Sequence, residues 1–371
     1  MDRFEIMFTS LHFPIFWLKL FLGFGFSFLI TFFTIPSIIK ISRRKNLMDE
    51  PGARSSHMRK ISNLGGIAIV FALCVCASIF ASELFKEYKF LFASLIILLF
   101  VGVKDDIMIM RAYKKLIAQI LVSVLMVIGS DVRIRSLFGV FGIYEMSYYI
   151  SVILSIFTFV ILINAFNLID GIDGLAGSYS VMCSIFFAIS YFRLGPYNYP
   201  LVILSAVIVG SVLAFLYYNL SNFRQQKIFM GDTGSMVLGF LLAFTGICFM
   251  DIFIDKKIAE IPRYHLNSAP VIAVAILILP IIDTLNVIII RLINKKPLME
   301  ADTNHVHHKL LRLGYTHRRS TAYIIFYYFF IVIFAYFFRH LNNNLLLFLI
   351  VSLGFMGVFI PEIKLKIRKS K

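Results

Sequence analysis

Eleven long apolar stretches, separated by polar turns, leave this chain few folds to choose from. They run over roughly 13–39, 64–82, 90–103, 114–130, 147–168, 178–192, 199–220, 235–250, 269–293, 321–339 and 345–361. A helix needs about 20 apolar residues to cross a hydrocarbon core of about 30 Å, and most of these stretches approach that length. The chain is 60% hydrophobic and only 15% charged, whereas a soluble chain carries about 25% charged residues. So few charges could not coat a water-facing surface. The expected fold is an all-α, polytopic integral membrane protein in which residues 1–371 form one transmembrane domain. The third and eighth stretches are short and are expected to begin or end in polar turns. The first is too long for a cleavable signal peptide, so it is expected to remain as a span.

Lys and Arg outnumber Asp and Glu 36 to 20, a net charge of +16. In a soluble chain that excess would suggest nucleic acid. In a membrane protein it reports topology instead, because basic loops stay on the cytoplasmic side, and no nucleic-acid partner is expected. The 40–63 loop, with Lys40, Arg43, Arg44, Lys45, Arg54, Arg59 and Lys60, should be cytoplasmic. An odd number of spans then puts the N-terminus outside and the C-terminus inside. Counted on that topology, the inner loops hold 25 basic residues and the outer ones 10. Most of the excess is thus a cytoplasmic rim, which can also attract anionic substrates. Cys74, Cys76, Cys183 and Cys248 lie in apolar runs without zinc-ligand spacing and read as buried thiols.

Acidic residues at membrane depth are costly and mark function by default. Asp105 and Asp106 close the third span. A helix C-terminus disfavours anions, so this pair needs a cation nearby. Asp170 and Asp173 follow the fifth span and, on a helical turn, would share a face. Gly171 and Gly174 would let backbone approach a ligand, and Asn164 and Asn167 interrupt the apolar run before them. Asp232 enters the eighth span in a glycine-rich turn, either as its N-cap or as a metal ligand. Asp283 lies inside the ninth. His305, His307 and His308 follow, with His305 and His308 sharing a face if the segment is helical. They could bind zinc, contact an anionic phosphate or sit in a solvated loop; the surrounding basic residues favour phosphate. His317 is also on the inner side and carries no assigned role. Hard carboxylate oxygens without Cys suit Mg²⁺ or Mn²⁺. All these groups fall at or toward cytoplasmic ends in a topology derived from Lys and Arg alone. Metal-assisted phosphoryl transfer between a lipid and a nucleotide fits them best.

The motifs Lys104-Asp105-Asp106, Asn164 to Leu175 (NAFNLIDGIDGL), Tyr218-Asn219, Phe229 to Ser235 (FMGDTGS), Asp283-Thr284 and His305-Val306-His307-His308 together resemble the polyprenyl-phosphate N-acetylhexosamine-1-phosphate transferases. These are bacterial membrane enzymes of glycosyltransferase family 4 that start peptidoglycan-lipid, teichoic-acid, O-antigen and related glycan assembly. The resemblance runs from about residue 36 to 310. It implies Mg²⁺-dependent transfer of a sugar 1-phosphate from a UDP-N-acetylhexosamine to undecaprenyl phosphate, releasing UMP, in the bacterial inner membrane. It leaves room for a homodimer. By motif, Asp105 looks like the base for the lipid phosphate. Asp106 looks like its supporting carboxylate and a further metal-site residue, and Asp232 like a direct Mg²⁺ ligand. Asn167, Asp170, Asp173 and Asn219 look like nucleotide- or sugar-site residues, and His305, His307 and His308 like the pyrophosphate- or sugar-recognition loop.

The asparagine-rich motif and the spaced histidines resemble the group that uses UDP-N-acetylglucosamine. That group often has a basic residue after the Asp preceding the His cluster. Here Thr303 and Asn304 follow Asp302, so a neighbouring Lys or Arg is expected to substitute. Two rival readings are weaker. A CDP-alcohol phosphotransferase would need an Asp-Gly-x-x-Ala-Arg opening, and after Asp170-Gly171 no Arg follows. An ion-coupled transporter would show paired repeats and a midplane site, and neither is evident.

Overall fold

A computed structural model describes residues 3–47, 61–223, 225–254, 266–295 and 304–370. Arg54, Arg59, Lys60 and the Asp302–Thr303 pair lie outside them. The described chain is helical and contains no strand, only isolated bridges such as Ser62 with Ile228. The helices are α1 (Arg3–Arg44), α2 (Gly65–Phe80), α3 (Glu83–Glu87), α4 (Leu91–Ile107), α5 (Ala112–Val124), α6 (Tyr148–Ile169) and α7 (Leu175–Arg193). They continue with α8 (Tyr199–Asn219), α9 (Gly231–Ile252), α10 (Ala269–Ile276), α11 (Ile278–Ile293), α12 (Val306–Arg312), α13 (His317–Phe337) and α14 (Asn343–Ser370).

Each of the eleven apolar stretches carries a helix. Among the described residues, eight helices are long and apolar enough to cross a membrane, or nine if the bent α10–α11 pair is one span. The third and eighth apolar stretches end and begin, as expected, in polar turns that the helices include. α9 begins at Gly231 and runs 22 residues, so the Gly-Asp-Thr-Gly-Ser sequence is its first turn. Likewise α4 continues through Ile107, which puts Asp105 and Asp106 inside its last turn.

With no water in a hydrocarbon core, backbone groups must be satisfied within each helix, and helical serines and threonines bond back to carbonyls one turn earlier. Ser180 does so to Ala176, Ser205 to Leu201 and Thr245 to Leu241. The innermost helices are α8 and α9, of which 83% and 89% of the apolar window is buried. Helices α1 and α2 pack on α8, while α4 and α6 pack on α9. The outer helices turn large apolar side chains such as Phe33, Phe100, Tyr149 and Phe337 outward, as a lipid-facing surface requires. The chain is a multi-pass membrane protein.

The α10–α11 pair bends by 73°. Such a break frees backbone groups that lipid cannot satisfy. Pro280 has no N–H to lose, and Tyr179 on α7 serves two of the other groups. Its hydroxyl donates to the Ile276 carbonyl at 2.7 Å and accepts from the Leu279 N–H at 3.2 Å. The Cys183 thiol reaches the same carbonyl at 3.1 Å. Tyr179→Phe therefore strands a buried donor and part of a buried acceptor. It should lower stability by about 1–2 kcal/mol, read as a fall in thermal midpoint in nanodiscs. An unchanged midpoint would show that the break needs no such support.

Candidate active site

The acidic motifs meet at one end of the bundle, where α4 ends and α9 begins. Asp106, in the last turn of α4, faces the first turn of α9. Its Oδ1 accepts from the Asp232 N–H at 2.7 Å, and its Oδ2 accepts from the Thr233 N–H at 3.1 Å and the Thr233 hydroxyl at 2.6 Å. This is an N-cap supplied from another helix, and the positive end of the α9 dipole favours the carboxylate there. Gly231 makes the approach feasible. Its φ is +74°, and a methyl group there would lie 2.7 Å from both Asp106 carboxylate oxygens. Asp232 is consequently not the N-cap; the cap position is Met230 and Asp232 stands in the first turn.

The cation that Asp105 needs is Lys115 on α5. Its ammonium lies 2.5 Å from Asp105 Oδ2 and also pairs with Asp232. Asp105 Oδ1 accepts from the Met110 N–H at 2.7 Å. Asn167 on α6 donates to Asp232 Oδ1 at 2.9 Å and to the Ser235 hydroxyl at 2.8 Å. Asp105, Lys115, Asp232 and Asn167 thus form one polar cluster from four helices. Among the described residues no set of three or more His, Cys, Asp or Glu side chains converges as a metal cage. What the chain offers instead is two carboxylates already sharing a cation.

The Asp170–Gly174 segment borders this cluster. It is a turn between α6 and α7 rather than helix, so Asp170 and Asp173 do not share a helical face. Burial, and then the negative charges of Asp232, Asp106 and Asp173, push the Asp170 carboxyl up to about 7. For Asp173 burial acts upward too, but hydrogen bonds from His317 and Lys227 outweigh it and hold the carboxyl below its usual range. Lys227 lies 2.5 Å and His317 Nδ1 3.3 Å from Asp173 Oδ2. The Thr321 hydroxyl donates to the Asp173 carbonyl at 2.8 Å. The glycines of this turn serve internal packing rather than ligand approach. A methyl group on Gly171 would meet His307 Nε2 at 2.3 Å, and Gly174 has φ +78°.

Two other expected ligand contacts become braces. Asn219 is buried, and its amide accepts from the Gly174 N–H at 2.7 Å and donates to the Ile228 carbonyl at 2.8 Å. It ties the acidic turn to the loop before α9. His305 is buried as well, with Nδ1 2.8 Å from Asp283 Oδ2, while Asp283 Oδ1 accepts from the Val306 N–H at 2.8 Å. Asp283 on α11 therefore caps α12, and His305 lies outside that helix, so it does not share a helical face with His308. The rings of His305 and His307 stack at 5.6 Å. His307 is 1% exposed. Burial first, and then the neighbouring imidazoles against the pull of Asp283, bring its pKa down to about 3. A neutral, enclosed ring is not a cation for phosphate. Of the three histidines only His308 is half-exposed.

The family model of glycosyl transferase family 4 matches residues 88–250, which span α4 to α9 and hold the Asp105–Lys115–Asp232 cluster. A probable undecaprenyl-phosphate N-acetylglucosaminyl 1-phosphate transferase of Bacillus subtilis is 30% identical over 310 residues, 83% of this chain and 81% of that protein. The chain belongs to glycosyl transferase family 4. Other similar family members are the undecaprenyl-phosphate alpha-N-acetylglucosaminyl 1-phosphate transferase of Escherichia coli K12, 29% identical over 77% of this chain and 74% of that one, and the decaprenyl-phosphate N-acetylglucosaminephosphotransferase of Mycobacterium leprae, 29% identical over 80% and 78%.

Sequence reading overlooked Lys115, Lys227 and His317 as members of the site. The first two entered only as loop charge. A signal existed for Lys115: acids at a helix C-terminus demand a cation, and Lys115 opens the next apolar run.

The buried neutral His307 has a pH consequence. Its folded-state pKa lies below the unfolded value of about 6.5, so protons favour unfolding. The stability linked to it is complete above about pH 6.5 and declines toward pH 3, by about 2 kcal/mol between pH 7 and pH 5. His307→Asn should flatten that acid-side decline in thermal midpoint. Parallel curves for both proteins would refute the assignment.

Proposed function

We propose that this family 4 protein transfers N-acetylglucosamine 1-phosphate from UDP-N-acetylglucosamine to undecaprenyl phosphate, releasing UMP and starting the assembly of a cell-envelope glycan. One observation carries the reading: Asp105, Lys115 and Asp232 form an ion-paired cluster at one end of a lipid-embedded bundle, within the segment matched by the family model. The activities for which the bacterial relatives are named support the same chemistry. We further propose eleven spans with the N-terminus outside and the C-terminus in the cytoplasm, which puts this end at the cytoplasmic face of the inner membrane, where nucleotide sugars are available. The 25-to-10 division of basic residues supports that orientation.

In the transfer, an oxygen of the lipid phosphate attacks the sugar-bearing phosphorus of the donor. A new P–O–P linkage forms, the bond to the α-phosphate breaks, and UMP leaves. Asp105 is placed to take a proton from the lipid phosphate. Lys115 holds the two carboxylates together before substrate arrives and offers positive charge to phosphate. Asn167 orients Asp232. Lys227 and His317, aligned by Asp173, face the donor side with His308. An apolar cavity of about 380 Å³ between α6, α9 and the bent α10–α11, lined by Leu154, Phe157, Ile161, Met250 and Val274, has room for a few isoprene units of the tail.

A divalent cation also fits this donor set. Mg²⁺ is commonly held by one or two carboxylates plus substrate phosphates, and Asp232 with Asp105 supplies hard oxygens around a point where the ammonium of Lys115 already stands. Asp106, occupied at the α9 terminus, would hold Asp232 in place for it. When bound, the ion would neutralise phosphate charge during transfer.

Purified protein given undecaprenyl phosphate, Mg²⁺ and UDP-N-acetylglucosamine should release UMP. Absence of UMP release across a panel of UDP-N-acetylhexosamines would overturn the reading. Asp105→Asn and Asp232→Asn should each lower kcat by about 10²–10³ or more while the protein still inserts and folds. Near-normal turnover in either would remove that residue from the chemistry.

A further inference from the structure

The His segment has an attachment that lies away from the acidic cluster. Helix α12 contains seven residues, and a helix that short has no stable shape of its own. Asp283 secures its amino end. The rest packs against α13 and α14, with Val306 and Leu310 in the core, and its charged contacts run to the distal end of α14. Lys309, one residue beyond His308, has a side chain only 3% exposed, and its ammonium lies 2.8 Å from the Glu362 carboxylate. Lys366 stands on the solvent side of the same carboxylate at 3.6 Å. Farther along α14, Arg368 donates to the Leu313 carbonyl at 3.0 Å. Leu313 is the C-cap of α12, where the helix dipole favours a cation. A buried ammonium whose counter-ion is removed is strongly unfavourable. Lys309 therefore makes the placement of α12 depend on α14.

We infer that the end of α14 is a clamp for the donor-binding segment, with Glu362 as a positioning residue that sets His308 through Lys309 and Arg368 closing the far end of α12. The kinetic part of this inference rests on the proposed transfer reaction; the structural part does not.

The test uses the full chain in nanodiscs. Glu362→Ala should raise the KM for UDP-N-acetylglucosamine about tenfold, the equivalent of 1.4 kcal/mol, and leave the KM for undecaprenyl phosphate unchanged. Amides of 305–313 should exchange hydrogen faster than in the wild type. Adding Lys309→Met, which removes the stranded charge, should recover most of the donor KM. A donor KM that stays put, or a drop in active fraction with both KM values intact, would overturn the positioning role. So would unchanged exchange in 305–313. If the wild type itself releases no UMP, the transfer reading fails, and the exchange comparison alone decides whether the clamp exists.

Discussion

The carboxylate of Asp106 at the amino end of α9 is the contact on which the active end depends. It meets two backbone N–H groups and a hydroxyl of the first turn. These are groups that a helix leaves unsatisfied and that lipid cannot serve. Without that cap α9 would fray before Asp232 is in place. With it, α4 and α9 share one boundary. Asp105, the neighbour of Asp106, is thereby brought within reach of the same Lys115 that pairs with Asp232.

The same economy of satisfied groups recurs across the molecule. Tyr179 serves the break between α10 and α11, Asn219 links the Asp170–Gly174 turn to the strand-like segment before α9, and Asp283 caps α12 while holding His305. In each case a polar side chain from one helix satisfies backbone groups elsewhere in the chain. Such contacts are rigid because the alternative is an unpaired polar group away from water. The acidic end is consequently an extension of the fold's own hydrogen bonding, and several residues that resemble ligands in a motif take part in it.

Electrostatically, three of the site's acids are paired with a lysine. Lys115 serves Asp105 and Asp232, and Lys227 with His317 serves Asp173. Asp170 has no such partner among the described residues, and burial beside three other acids raises its carboxyl.

The sequence by itself determined the helical membrane architecture, because apolar run length and scarcity of charge are local properties that no tertiary contact can reverse. It also identified the acidic motifs, since charges at membrane depth are costly wherever they pack. Partnership was decided only by the tertiary structure. Lys115 and Asp232 are 117 residues apart, and Asn167 and Asp232 are 65 apart, so nothing in local spacing pairs them. Spacing also suggested that three histidines act alike. Packing gives them three fates: His305 bound to Asp283, His307 enclosed and neutral against Gly171, and His308 half-exposed. Whether a polar side chain meets a ligand or a helix end depends on what the fold places opposite it, and that is a property of three-dimensional contact rather than of the residue or its neighbours in the chain.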